Sequence, residues 1–331
     1  MMKRSALPIV SALALSSLLA ACGGTDNPPN NNPDLATPAP QAKDIVDTAV
    51  GAGSFKTLVA AVQAAGLEST LRGAGPFTVF APTDDAFAKI PEFLRTQLLT
   101  PPYKTHLSLI LTYHVLGSSV KAADVLGKKQ DVATAAGTAK LNVDGSDNKK
   151  VVLNGGDATV TSADVAAKNG VIHVIDGVLL PSIADVAGNY KDSTAEFKTL
   201  LAAVVAADLA PVVSGKGTFT LFAPTDKAFA DLKAALGDAT WNKLLADKTK
   251  LARVLKYHLL ASPAYAKDVK AGAVETVAGA TDKLTLAVTA GKVSISDSTA
   301  KAANVILTDL PTRTGVIHVI DKVLVPANLG L

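Results

Sequence analysis

The chain has 331 residues, of which 48% are hydrophobic and 18% charged, so it has enough apolar side chains to bury the cores of two ordinary domains. Its formal net charge is +3, and removal of a segment that contains Lys3 and Arg4 would leave 30 basic and 29 acidic residues. This near-neutral balance argues against a surface that binds nucleic acid phosphates. The single cysteine, Cys22, excludes an internal disulfide and a cysteine-based zinc cluster.

The first 21 residues have the features of an export signal. Lys3 and Arg4 form a short basic region, residues 6–18 are almost wholly apolar, and small residues stand directly before Cys22. The segment resembles a bacterial lipoprotein signal peptide, which implies that Cys22 becomes the lipidated N-terminus of the mature protein. The alternative is an ordinary secretory signal with an incidental cysteine. The apolar run is too short to span a bilayer, so we predict attachment to the membrane through a lipid anchor.

Residues 22–41 are rich in proline, asparagine and glycine, a composition that builds no hydrophobic core. We predict a disordered tether, which at about 3 Å per residue would reach on the order of 50 Å from the membrane. Gly23, rather than an aspartate, follows Cys22. By resemblance to lipoproteins sorted to the outer membrane, this favours the outer membrane or the cell surface.

The remainder of the chain is a tandem repeat. The seven letters GVIHVID at 170–176 return unchanged at 315–321, each time near the end of a similar run of residues. We therefore predict two domains, domain 1 at 42–181 and domain 2 at 182–331. Ser182 directly follows the end of domain 1 and has the chemistry of a helix N-cap, so almost no linker remains. This predicts a fixed rather than a freely jointed pair.

The first clear helix of domain 1 is predicted after Ser54, with apolar residues on one face and Gly66 at its end. Domain 2 repeats this pattern with Phe197 on the equivalent apolar face. A later repeated block in each domain, residues 107–116 and 251–260, contains a Tyr-His pair, Tyr113-His114 and Tyr257-His258. On a helical template both histidines continue an apolar stripe.

Between these helices each domain has a strand followed directly by a helix. In domain 1 the apolar run FTVFAP is followed by Thr83 and Asp84, and in domain 2 the run FTLFAP is followed by Thr225 and Asp226. The threonines suit the N-cap position, and the aspartates suit the first helical turn. Capping therefore explains these aspartates better than a catalytic role.

The rest of each domain alternates β-branched runs with turn residues and ends in GVIHVID, followed by a further predicted strand to Pro181 or its counterpart Pro326. Strand alternation places His173 and Asp176 on opposite faces, and it does the same for His318 and Asp321. The run is apolar on both faces, which predicts a covered core strand.

Three motifs in fixed order, FTVFAPTDDAF, LTYHVL and NGVIHVIDGVLLP, resemble the fasciclin domain family. The second set, FTLFAPTDKAF, LKYHLL and TGVIHVIDKVLVP, resembles it again. The resemblance implies an α+β fold in which each domain packs a bent β-sheet core with several α-helices. It also implies a role in cell adhesion or extracellular matrix contact. The two sets differ before the GVIH motif, where Asn169 in domain 1 is replaced by Thr314 in domain 2.

The resemblance also suggests candidate binding residues. The tyrosine-histidine motif of animal family members has been credited with integrin binding, and it corresponds here to Tyr113, His114, Tyr257 and His258. A tyrosine beside a core histidine also fits the rim of a hydrophobic core, so a structural role is the competing interpretation.

The sequence contains no recognisable catalytic motif, and each domain repeats only two histidines, fewer than the three or four ligands of a zinc site. We predict a non-enzymatic protein without metal or cofactor. Its predicted function is adhesion or surface contact, with an unknown surface protein, glycan or matrix component as partner and the oligomeric state left open. The alternative is a periplasmic or surface protein that binds a small apolar ligand or a glycan in a partly apolar pocket.

Overall fold

The structure, a computed structural model, describes residues 42–192, 195–215 and 218–330. The predicted signal peptide, the tether and Cys22 lie outside the described residues. From Ala42 onward the chain forms one compact unit that holds both domains.

Domain 1 combines helices with one seven-stranded sheet. Its helices are α1 (Ile45–Ala52), α2 (Lys56–Ala65), α3 (Glu68–Leu71), α4 (Asp84–Ala88), α5 (Glu92–Leu98), α6 (Lys104–Tyr113) and α7 (Ala122–Val125), with a 3₁₀ turn at Pro101–Tyr103. Its strands are β1 (Phe77–Pro82), β2 (Val115–Leu116), β3 (Lys129–Ala133), β4 (Lys140–Asp144), β5 (Val152–Leu153), β6 (Ala158–Ala167) and β7 (Gly170–Ile175).

Domain 2 repeats this arrangement. Its helices are α8 (Ile183–Asn189), α9 (Lys198–Ala206), α10 (Ala210–Ser214), α11 (Asp226–Leu236), α12 (Asp238–Ala246) and α13 (Lys248–Tyr257), with a 3₁₀ turn at Ala266–Asp268. Its strands are β8 (Phe219–Pro224), β9 (Leu259–Leu260), β10 (Gly272–Thr276), β11 (Gly279–Thr289), β12 (Lys292–Ser296), β13 (Ala303–Thr312) and β14 (Gly315–Ile320).

The two sheets have the same strand order, β2-β1-β7-β6-β5-β4-β3 in domain 1 and β9-β8-β14-β13-β12-β11-β10 in domain 2. β1 and β7 run parallel, as do β8 and β14. Each sheet curls until its two ends meet. The backbone N–H of Ala135, just after β3, donates to the carbonyl of Val115 in β2 at 2.7 Å, and Val277 donates to Leu259 at 2.8 Å in domain 2. The predicted α+β class with a bent sheet in each domain is confirmed.

The first six residues of the repeated GVIHVID motif form β7 and β14, each of which lies between two neighbouring strands of its sheet. β7 pairs with β1 along its whole length, and most of its side chains are buried. A Cβ atom at Gly170 would collide with the backbone carbonyl of Phe77, and one at Gly315 would collide with that of Phe219. The prediction of a core strand is confirmed, and its first glycine is explained by the close approach of the neighbouring backbone.

The predicted further strand after GVIHVID is wrong in both domains. The segments that follow β7 and β14 adopt no strand. The N–H of Leu179 donates instead to the His114 ring at 2.9 Å, and Leu324 donates to His258 at the same distance. A side chain thus takes the place of a neighbouring strand.

The helix ends follow the predicted chemistry. α2 ends at Gly66, which has a left-handed φ of 74° that favours glycine. Ser182 caps α8, and its hydroxyl accepts the N–H of Asp185 at 3.1 Å. Because Ser182, the N-cap of α8, directly follows Pro181, the two domains meet without a linker. The N–H of Arg313 in domain 2 donates to the Pro181 carbonyl at 2.9 Å.

Candidate functional site

The repeated strand-to-helix corner is held by its threonines. The hydroxyl of Thr83 accepts the backbone N–H of Ala86, and the hydroxyl of Thr225 accepts that of Ala228, both at 3.2 Å. Each threonine has extended backbone angles and stands directly before its helix, so both are N-caps. The predicted capping role is confirmed in both domains.

The aspartates beside these threonines cap a different helix. Asp84 is the first residue of α4, but its carboxylate accepts the N–H of Thr57 at 2.7 Å and of Lys56 at 3.3 Å, at the start of α2. Asp226 accepts the equivalent N–H groups in α9, with 2.7 Å to that of Thr199. Partial burial tends to raise the pKa of Asp84, but the hydrogen bonds from Thr57 and Lys56 hold it below its usual value. Each aspartate therefore links two helices.

The histidines of the Tyr-His pairs lie in the core. The Nδ1–H of His114 donates to the Ile110 carbonyl at 2.8 Å, while its Nε2 accepts the N–H of Leu179. His258 makes the same two bonds with Val254 and Leu324. Because one nitrogen donates and the other accepts, each ring is neutral, and burial lowers the pKa of both histidines to about 4.

The tyrosines of these pairs are buried as well. Tyr113 is 1% exposed and donates its hydroxyl to the Lys140 carbonyl at 3.0 Å, and Tyr257 is 3% exposed and donates to Lys283 at 2.8 Å. Burial raises the pKa of each hydroxyl to about 12. Each pair joins the end of a helix to the sheet. Binding through these tyrosines and their histidines stays a prediction, and the structure offers no exposed surface on them.

The histidines of GVIHVID carry their proton on the other ring nitrogen. Nε2 of His173 donates to the Val120 carbonyl at 2.8 Å, while Nδ1 accepts the N–H of Asp164 at 3.2 Å. His318 repeats this with the carbonyl of Ala264 at 2.7 Å and the N–H of Asp309 at 3.3 Å. Each ring ties the strand to an irregular turn of its neighbour, where Asp164 and Asp309 have left-handed φ angles of 58° and 55°.

The aspartates that end GVIHVID are also held by backbone. Asp176 accepts the N–H of Thr159 at 2.7 Å, and Asp321 accepts that of Asn304 at 2.7 Å. In neither domain does the aspartate contact the histidine of its own motif through a hydrogen bond in the described residues. Each aspartate therefore joins the end of its motif to the neighbouring strand, which is a structural role.

The single difference before GVIH has a structural counterpart. The Asn169 side chain accepts the N–H of Ile45 at 3.0 Å and donates to the carbonyls of Leu71 and Gly73. Thr314 accepts the N–H of Ile183 and donates to Val213. A hydroxyl has fewer hydrogen-bonding atoms than an amide, so domain 2 keeps two of the three links.

Comparison with known proteins identifies the repeated unit. The sequence model of the Fasciclin domain matches residues 53–181 and again residues 195–326. The chain belongs to the fasciclin domain family.

The chain is similar to several known proteins. The chain is 51% identical over 140 residues to Protein sll1483 of Synechocystis sp.. This alignment covers 42% of this chain and 74% of that protein. The chain is 32% identical over 273 residues to transforming growth factor-beta-induced protein ig-h3 of Sus scrofa, covering 78% of this chain but only 36% of ig-h3. A solved FAS1 domain pair from the insect cell adhesion molecule Fasciclin I is 20% identical, with a TM-score of 0.40, and the match covers 85% of this chain and all of that one.

Fasciclin domains are found in cell-adhesion and extracellular matrix proteins, and homologues of this chain are secreted or surface proteins. Proteins of the family are of a non-enzymatic adhesion type. In this fasciclin pair, no three histidine, cysteine, aspartate or glutamate side chains of the described residues form a group able to hold a metal ion. None of the helices in the described part of the chain is long and apolar enough to cross a membrane.

The contacts between the two fasciclin domains were not predicted residue by residue. His106 is fully buried and donates from Nε2 to the Pro311 carbonyl of domain 2 at 2.9 Å, while its Nδ1 has no hydrogen-bond partner among the described residues. Burial lowers the pKa of His106 to about 4. His106 aligns with Lys250, whose ammonium instead contacts the Gly330 carbonyl at 2.6 Å. The sequence signal for this contact was that a histidine in a helix of domain 1 aligns with a lysine in the equivalent helix of domain 2.

A second feature of fasciclin domain 1 is a cavity of about 90 Å³ between α1, α2, α3 and the sheet. The corresponding space in fasciclin domain 2 measures only about 20 Å³. Periodicity assigned the lining residues to the core, but it does not show whether a core is completely filled.

Proposed function

We propose that the protein is a non-enzymatic, lipid-anchored protein of the cell envelope that mediates adhesion or surface contact through its two fasciclin domains. The observation that carries this proposal is where the polar residues repeated in both domains direct their hydrogen bonds. Thr83, Asp84, His114, His173 and their domain 2 counterparts direct their hydrogen bonds to the protein's own backbone. The motifs therefore build the scaffold, and the exposed surface remains for partners.

The burial of the histidines supports the non-enzymatic part of the proposal. All five are buried, at 4% exposure or less. General acid–base catalysis needs a titrating group that reaches the substrate, and a neutral ring enclosed by backbone groups does not meet this requirement. A close His–Asp pair, His318 and Asp309, is separated by 4.0 Å and enclosed, and burial lowers the pKa of the histidine and raises that of the aspartate.

The linker-free junction supports a contact function with two modules. Domains 1 and 2 share buried contacts, and Ser182 starts domain 2 directly after Pro181. Two modules at a fixed spacing gain avidity when a partner surface repeats its binding groups, even if each module binds weakly. The proposed partner is a surface protein, a glycan or a matrix component.

The proposed anchor depends on Cys22 and is supported by the lipoprotein-like residues before it, while Gly23 after it favours outer-membrane or cell-surface placement. The test is membrane fractionation of cells that express the protein or its Cys22→Ser variant. We expect the unaltered protein in the membrane fraction and the variant released. Equal membrane association of both would contradict the anchor.

Adhesion is tested with three strains of one host, which carry the full chain, a form without residues 42–331, or no protein. We expect attachment to matrix-coated surfaces and cell aggregation only with the full chain. Variants that lack domain 1 or domain 2 alone measure the gain from pairing. Unchanged attachment after removal of residues 42–331 would refute the adhesion proposal without affecting the anchor.

A further inference from the structure

The cavity in domain 1 has a floor of β strands and a roof of helices. Val79, Val115 and Ile172 form part of the floor, and Ile45, Leu58 and Val62 form part of the roof. Gln63 and Thr70 also line it and are exposed, so the cavity has a rim at the protein surface.

The cavity is unsuited to water. Its volume of about 90 Å³ leaves room for water, so its polarity decides whether water is held there. An enclosed water needs two to four polar partners. The polar groups of the inner wall are already engaged, since both ring nitrogens of His114 are hydrogen-bonded and the Thr112 hydroxyl donates to the Ser108 carbonyl at 2.8 Å.

Domain 2 shows that the fold does not require this space. On the floor, Leu221 and Leu259 stand at the positions of Val79 and Val115, and each adds one methylene group. On the helical side Leu201 likewise exceeds its counterpart Val59, but Val46 and Leu71 of domain 1 are larger than their counterparts Ala184 and Val213. These larger side chains do not fill the gap, since the space of about 90 Å³ remains.

The rim offers little charge to a ligand. Glu68 is the charged residue of the lining, and it pairs with the guanidinium of Arg72 at 3.1 Å. Arg72 also contacts Asp44 at 2.8 Å and Asp47 at 2.9 Å. Recognition at this site therefore rests on contact with hydrocarbon.

We propose that domain 1 binds a compact hydrocarbon group in this cavity. Its size suits a short branched alkyl group, either as a whole small molecule or as the end of a longer apolar molecule that leaves past Gln63 and Thr70. An apolar cavity of about 150 Å³ in another protein stays dry and takes up benzene or xenon, so a smaller one of the same character favours xenon-sized groups. This inference goes beyond the adhesion proposal and does not rest on it.

The test uses xenon as the probe and methyl NMR spectra of the purified protein. We expect saturable shifts of the Val62, Val79 and Val115 methyl signals, with no comparable shift at Leu221 and Leu259. The Val79→Leu, Val115→Leu double variant copies two floor positions of domain 2 and should lose the response. Absence of saturable shifts in domain 1, or shifts of equal size in the filled variant, would overturn the proposal.

The reverse variant guards against a folding artefact. Leu221→Val with Leu259→Val opens the matching space in domain 2 and should create a xenon response there, while an unchanged domain 2 would contradict the assignment of the floor.

Mass spectrometry of organic extracts from protein purified from its host separates the two sources of the group. A volatile small molecule or a longer lipid-like molecule should copurify with the unaltered protein and be depleted in the filled variant. Equal recovery with both proteins would refute occupancy of this cavity.

Discussion

The carboxylate of Asp84 accepts the backbone N–H of Thr57 at 2.7 Å, so a residue in the first turn of α4 caps the start of α2. Since the N-cap of α2, Phe55, has no side chain that accepts a hydrogen bond, this contact satisfies an N–H group that the helix itself leaves free. A sequence repeat that resembles a local cap is therefore a tertiary link across 27 residues.

Replacing Asp84 by alanine should lower the free energy of unfolding by about 1–2 kcal/mol, the usual range for loss of a helix cap. Asp85→Ala is the matched control, because Asp85 occupies the same turn and is exposed. Urea unfolding of both variants gives the comparison. Equal losses for the two variants would show that the helix dipole, rather than the cap, accounts for the effect.

Asp84 also predicts a pH dependence. Burial acts to raise its pKa, but the bonds from Thr57 and Lys56 lower it below the usual value. The stabilisation is therefore present above the pKa of the unfolded chain and is lost as the pH falls through the lower pKa of the folded state. Asp84→Asn should be less sensitive to acid than the unaltered protein when unfolding is measured from pH 6 down to about pH 3.

The buried histidines should make the protein lose stability in mild acid. Burial lowers the pKa of His106, His114 and His258 from 6.5 to about 4, so the unfolded chain binds protons that the native state excludes. As the pH falls from about 6.5 to 4, each ring should reduce the free energy of unfolding by up to about 1.4 kcal/mol per pH unit.

His114→Gln tests this dependence, because glutamine retains an acceptor for Leu179 but does not titrate in this range. We expect a lower stability at pH 7.5 together with a shallower loss between pH 6.5 and 5, measured by urea unfolding. A slope that matches the unaltered protein would show that His114 does not account for its share of the effect.

Sequence reasoning succeeded where the interaction is local or periodic. Thr83 lies three residues before the N–H that it accepts, and Gly66 ends a helix by its own backbone conformation, so both could be predicted from neighbouring letters. GVIHVID was recognisable as a core strand because it is apolar on both faces.

The failures have a common physical origin in contacts between distant segments. The N–H of Leu179 bonds to the ring of His114, 65 residues away, and is therefore not available to a neighbouring strand. The strand that the sequence predicted after GVIHVID does not form there. His106 contacts Pro311 across the domain junction, and no spacing rule connects residues 205 positions apart. The cavity depends on how several side chains fit together, and a hydrophobic pattern specifies their direction but not the space left between them.

Filling the cavity should stabilise domain 1. Val79→Leu adds one methylene where domain 2 accommodates Leu221, so we expect the free energy of unfolding to rise by about 0.5–1 kcal/mol. Leu221→Val should lower it by about 0.5–1.5 kcal/mol, because it removes a buried methylene. Thermal and urea unfolding measure both changes. A loss of stability in Val79→Leu would indicate overpacking and would contradict the position assigned to the free space.

Gly170→Ala should destabilise domain 1, because the added Cβ would collide with the carbonyl of Phe77 across the β1–β7 pair. Overpacking of this kind costs about 1–3 kcal/mol. Gly117→Ala is the control, since a Cβ there meets no atom within 4 Å. Urea unfolding should separate the two variants clearly, and similar values would show that the strand pair shifts to accept the methyl group.

The domain junction should contribute measurable coupling between Tyr103 and Thr308. The Tyr103 hydroxyl lies 3.2 Å from the Thr308 hydroxyl, and the Gln97 amide donates to the Thr308 carbonyl at 3.1 Å. A double-mutant cycle of Tyr103→Phe and Thr308→Val should give an interaction energy of about 0.5–1.5 kcal/mol. X-ray scattering of the unaltered protein should fit a single fixed arrangement of the domains. The scattering of the double variant should require a wider range of domain arrangements. A cycle energy near zero would show that this contact does not couple the domains, and a scattering curve of the unaltered protein that requires wide interdomain freedom would refute the fixed pair.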